Sequence, residues 1–130
     1  MARLATVGVA LAVLALSGCG GGTLSKEELQ KQYEAIQSLA SEGALVADGV
    51  ADDRTTETFV AVHSQYLSEA ARKVETDLRS GNGPQPAVSL ARQVADDLDR
   101  LHEEPDDPAL ARRLSEQLQA YAADAEERAK

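Results

Sequence analysis

The sequence predicts an all-α protein, an antiparallel up-down-up-down four-helix bundle, and three observations carry that expectation. Apolar residues recur at spacings of three and four along most of the chain, the periodicity of an amphipathic helix. No stretch alternates at period two, so no sheet is expected. Hydrophobic residues make up 43% of the 130 positions but aromatics only 3%. The core must therefore be built from Ala and aliphatic side chains, and Ala and Leu lose little freedom in a helix.

The first helix has a marked start. Ser25 and Glu28 have the spacing of a capping box, in which each side chain satisfies a free backbone N–H. Leu24 and Leu29 flank it as a hydrophobic staple. The apolar stripe runs Leu29, Tyr33, Ile36, Ala40, Gly43 and Ala47, widened by Leu39 and Val46, and Gly49 is the expected stop. The second helix starts near Asp53–Thr56, all suitable caps. Its expected inner face is Phe59, Val60, His63, Tyr66, Leu67, Ala70, Val74 and Leu78, ending at Ser80-Gly81. Gly81-Asn82-Gly83-Pro84 is the strongest turn signal in the chain. The third helix opens at Pro86, carries Leu90, Ala91, Val94, Leu98 and Leu101, and is stopped by Pro105. The fourth takes Asp107 as cap and Pro108 as first residue, with Leu110, Leu114, Leu118, Tyr121 and Ala125 inward. Short connections between four such helices favour the up-down bundle. A helical hairpin that completes its core by dimerising is the second arrangement the pattern allows.

Lys and Arg number 13 against 22 Asp and Glu, a net charge of −9. Nucleic acid selects basic surfaces, so it is not an expected partner. A single Cys excludes an internal disulfide.

That Cys closes a distinctive segment. Arg3 precedes an apolar, uncharged run from Leu4 to Leu16. The run is shorter than the roughly 20 residues of a transmembrane helix and suits the apolar region of a signal peptide. It ends at Leu16-Ser17-Gly18-Cys19, which resembles the lipobox of bacterial lipoprotein precursors. The resemblance covers residues 1–19 only. It implies diacylglycerol on the Cys19 thiol, cleavage between Gly18 and Cys19, and Cys19 as the acylated N-terminus of a lipoprotein. The expected organisation is a signal peptide over 1–18, a lipidated Cys with a Gly-rich tether over 19–24, and a helical domain over 25–130. The expected location is the cell membrane or outer membrane, outside the cytoplasm.

The helical domain shows little that suggests reaction chemistry. Gly-x-Ser-x-Gly, a phosphate loop and His-Glu-x-x-His are all missing. The Glu-x-x-His pattern of di-iron bundles is not met at His63, because Val60 stands where Glu is needed. His102 suits a surface residue satisfying a helix end. Asp96-Asp97 and Glu103-Glu104 read as solvated acids rather than a catalytic dyad. No metal, cofactor or catalytic residue is expected. The one candidate pocket is between helices at Tyr33, His63 and Tyr66.

The up-down topology adds a charge polarity. The end bearing the tether is close to neutral, whereas the far end collects twelve carboxylates against four arginines. Asp48, Asp52 and Asp53 should there meet Glu103, Glu104, Asp106 and Asp107. They form a solvated acidic cap, or a patch for a cationic partner or loosely held Ca²⁺. The sequence thus points to a lipid-anchored, non-catalytic binding or scaffolding module of the bacterial envelope with an envelope protein as partner. The alternative is a small-ligand or metal carrier.

Overall fold

The structure, a computed structural model, describes residues 23–130, which form four helices and short turns. The signal segment with Gly18 and Cys19 lies outside the described residues. The helices are α1 (Lys26–Ala51), α2 (Glu57–Ser80), α3 (Gln85–Glu103) and α4 (Pro108–Ala129).

Their starts follow the capping chemistry of the sequence. Glu28 N–H donates to Ser25 Oγ at 3.1 Å, and Ser25 N–H to Glu28 Oε2 at 3.4 Å. Two donors that a helix start leaves orphaned are thereby satisfied. Thr56 caps α2 through Phe59 N–H at 3.2 Å. Asp107 caps α4 through Leu110 N–H at 3.0 Å, with Pro108 in the first helical position.

The end of α1 differs from expectation. Gly49 stays helical, and the chain turns at Asp53, whose φ is +54°. Arg54 N–H reaches back to Gly49 O (2.8 Å) and Asp53 N–H to Val50 O (3.1 Å). This is a Schellman motif with Asp in the left-handed position. The end of α2 repeats it: Asn82 has φ +54°, and Gly83 N–H reaches Leu78 O at 2.6 Å. Short polar side chains tolerate that conformation better than other non-glycine residues do.

The widest seams are α1 on α4 and α2 on α3, with narrower contacts between α1 and α2 and between α3 and α4. Ile36, Leu67, Leu98, Leu114 and Leu118 are fully buried at the centre. Gly43 permits the diagonal approach of α1 to α3. A Cβ there would stand 2.6 Å from Leu98 Cδ2 and 3.3 Å from Leu118 Cδ1.

The inner face of α2 is rotated from the expected one. Val60, Leu67, Val74 and Leu78 are buried as expected, but they are joined by Ser64, Ser68, Ala71 and Glu75. Phe59 and Tyr66 are exposed instead, and His63 sits at the edge. Ser64 can enter the core because its hydroxyl donates to Val60 O within the helix.

The two ends of the bundle are distinct. At one, Leu24 N–H donates to Gly81 O at 3.0 Å, and Lys26 and Gln30 share a crevice with Ala129 and Lys130. At the other, Asp53 and Thr55 line a crevice with Pro105 and Asp106. The α1–α2 and α3–α4 connections therefore lie together, as the up-down topology requires. Among the described residues no helix is long and apolar enough to cross a membrane.

Candidate functional site

Polar groups concentrate along the α2–α3 seam. Glu75 on α2 is nearly buried; it accepts from Arg92 Nε at 3.0 Å and forms ion pairs with Arg79 Nη2 at 2.8 Å and Arg72 Nη1 at 3.5 Å. Arg72 also reaches across to Asp96 Oδ1 (2.6 Å) and Asp99 Oδ2 (2.7 Å) on α3. Those two hydrogen bonds raise its pKa further above the ordinary value. Ser68 donates to Asp99. These contacts set Asp96 and Asp99 opposite Arg72 along the seam, so these two carboxylates do not belong to the acidic end to which the sequence assigned them. The ions form a strap along one seam. Its chemistry fixes the register of two helices, since each partner needs its counterpart at one level.

Asp97, beside this strap, faces the other way. It is 7% exposed, and its Oδ2 is buried without a hydrogen-bond partner among the described residues. It is therefore not the solvated acid expected from the Asp96-Asp97 pair. Burial pushes its pKa up to about 6, the positive charge of Arg100 pulls it down, and the charge of Asp96 pushes it up. Across the α3–α4 seam, burial and then the charge of Asp97 raise the pKa of Tyr121.

The three residues expected to line one pocket are not assembled. His63 Nε2 lies 3.5 Å from Glu42 Oε1 on α1. Tyr33 stands nine positions before Glu42, about 13 Å along the helix axis, and lines the crevice at the opposite end with Arg128 and Lys130. Tyr66 points outward, 66% exposed. His102 also departs from expectation. Its Nδ1 reaches Ala61 O on α2 at 2.7 Å, so it ties α3 to α2 rather than serving its own helix end.

The acidic connections do meet, but their members are occupied separately. Asp48 accepts from Ser115 on α4, Asp52 pairs with Arg54 at 3.0 Å, and Asp107 caps α4. Asp53 and Asp106 share the crevice at that end. Glu103 at the end of α3 and Glu104 just beyond it are exposed. Among the described residues no three His, Cys, Asp or Glu side chains converge on a metal position.

An open groove of about 440 Å³ lies between α1 and α4, floored by Ala44, Ala122 and Ala123 and flanked by Leu45, Gln37 and Gln119. Nothing in the sequence reading marked it, because small alanines on two facing helices give no chemical signal. Such a fold and polar arrangement define an all-α bundle with a half-exposed ionic seam centred on the nearly buried Glu75. Comparison of the chain with protein-family models, curated proteins and solved structures gave no match.

Proposed function

We propose that the chain acts as a lipid-anchored, non-catalytic helical module of the bacterial cell envelope, in a binding or scaffolding role. The observation that carries this reading is Leu16-Ser17-Gly18-Cys19 at the end of an uncharged apolar run. Small residues at Ser17 and Gly18 suit a peptidase cleft, and the Cys19 thiol is the nucleophile that accepts a diacylglycerol. Two or more acyl chains hold a protein stably on a bilayer, at about 0.8 kcal/mol per buried methylene. Leu24, which follows the Gly-rich segment in sequence, joins the bundle by donating its N–H to Gly81 O. Anchoring there would set that end close to the lipid and turn the acidic connections away from it, the orientation that anionic headgroups favour.

A closely packed interior supports binding at the surface over carriage inside. Ala40, Leu67, Val94, Leu98 and Leu114 are each 0% exposed. The test is intact mass spectrometry and membrane fractionation of wild type and Cys19→Ala. Wild type should carry acyl-glycerol mass on Cys19 and sediment with membranes. The variant should be unprocessed or released. An unmodified Cys19 in processed wild-type protein would overturn the anchor.

A further inference from the structure

The rings of Phe59, His63 and Tyr66 form a ladder on the outer face of α2. Phe59 and His63 stack at 5.3 Å with planes 9° apart, and His63 and Tyr66 at 6.4 Å and 29°. With Val62 they occupy positions i, i+3, i+4 and i+7, which form one helical stripe. The core does not use this stripe. Phe59, Val62 and Tyr66 are 52%, 64% and 66% exposed. On α1, Glu42 meets the edge of the stripe at His63.

The surroundings of the ladder are anionic. Neither residues 32–53 nor residues 55–71 contain a Lys or Arg. Arg54, between those stretches, is paired with Asp52. Glu69 follows the ladder one turn after Tyr66 on α2, and Glu42 on α1 stands beside it.

We infer that the Phe59–Val62–Tyr66 face docks a cationic, apolar segment of a partner protein, of the kind an amphipathic basic helix presents. This deepens the binding role proposed above and rests on it, but is independent of the lipid on Cys19. Aromatic rings offer a negative face that attracts Arg and Lys side chains. The same rings supply the apolar area in which binding energy concentrates. Glu42 and Glu69 complement basic residues flanking the partner's apolar anchors and speed the encounter. A second copy fits poorly, because a two-fold contact would set these carboxylates against their own counterparts. An anionic bilayer is repelled by them in the same way.

The test titrates the full chain with three labelled synthetic helical peptides of equal length, read by fluorescence anisotropy. One is amphipathic with Leu and Lys/Arg, one amphipathic with Leu and Glu, and one polar with Ser and Lys at the first one's charge. The first should bind, and the other two should bind far more weakly. Phe59→Ser combined with Tyr66→Ser should weaken the first peptide about tenfold at unchanged thermal stability. Equal binding of the polar cationic peptide would reduce the effect to bulk charge and overturn the docking face. So would an unchanged affinity in the double variant, or a self-association that the double variant abolishes. Cys19→Ala should bind the peptide like wild type. Loss of peptide binding with Cys19 lipidated would remove the docking face alone, and unmodified Cys19 with peptide binding retained would remove the anchor alone.

Discussion

Replacing Asp97 with Asn should abolish a loss of stability that the protein suffers as pH approaches neutrality. The carboxyl is 7% exposed, and its Oδ2 lacks a partner among the described residues. Its pKa stands at about 6 against an ordinary 3.8. Because the folded value is the higher one, the protonated form favours folding. That contribution is complete below about pH 4, shrinks as pH rises, and is gone once pH passes about 6. At about 1.4 kcal/mol per unit, the loss across that window is about 2–3 kcal/mol. The assay is urea unfolding followed by circular dichroism, on wild type and Asp97→Asn, at about pH 4.5 and about pH 8. Other carboxylates also titrate, so the informative quantity is the difference between the two proteins in their change with pH. Wild type should lose about 2 kcal/mol more than the variant over the interval. Identical pH dependence would mean that Asp97 is solvated in the native state, and the burial argument would fail.

Other perturbations test the packing and the seam. Leu67→Ala or Leu98→Ala should each cost roughly 2–5 kcal/mol in the same unfolding assay, because both are fully buried. Gly43→Ala gains about 1 kcal/mol of helix propensity, but its Cβ would stand 2.6 Å from Leu98 Cδ2. A net loss of about 1–2 kcal/mol is expected. It should be partly relieved when Leu98→Ala is added, so that a double-mutant cycle departs from additivity. Glu75→Gln removes the charge shared by Arg72, Arg79 and Arg92. It should cost about 1–2 kcal/mol, the arginines escaping part of the penalty by turning to solvent; full wild-type stability would mean that the seam is held by its apolar contacts alone.

Helix starts were legible in the sequence because capping is local chemistry. Ser25, Glu28, Thr56, Asp107 and Pro108 act within one turn of themselves. The stop of α1 was not legible at Gly49, since Asp53 and Asn82 take the left-handed positions that glycine usually fills. The face of α2 was misassigned for a different reason. Aromatic residues at helical spacing imitate a core stripe, while the true inner face includes Ser64 and Ser68, whose hydroxyls are satisfied by Val60 O and by the Asp99 carboxylate. Hydropathy alone cannot separate two apolar stripes on one helix. Nor could pattern reveal the burial of Asp97 and Glu75, because a charged residue is read as solvated until its neighbours across a seam are known. The pocket expected at Tyr33, His63 and Tyr66 failed on axial distance, which a helical stripe does not convey. The meeting of the two acidic connections was legible, because topology alone decides it.

The unequal seams bear on the order in which the bundle assembles. Across the α2–α3 seam, Glu75 and Arg92 are 17 residues apart, Arg72 and Asp96 are 24 apart, and Ser68 and Asp99 are 31 apart. Across the α1–α4 seam, Asp48 and Ser115 are separated by 67. Closing the shorter loops costs less chain entropy, so the α2–α3 hairpin can form while the remainder is still unstructured. The seam between α1 and α4 has to wait until three helices and their turns are in place. Because its widest partner is the last of the four helices, α1 keeps its face around Ile36, Ala40 and Ala44 short of full cover until α4 is available.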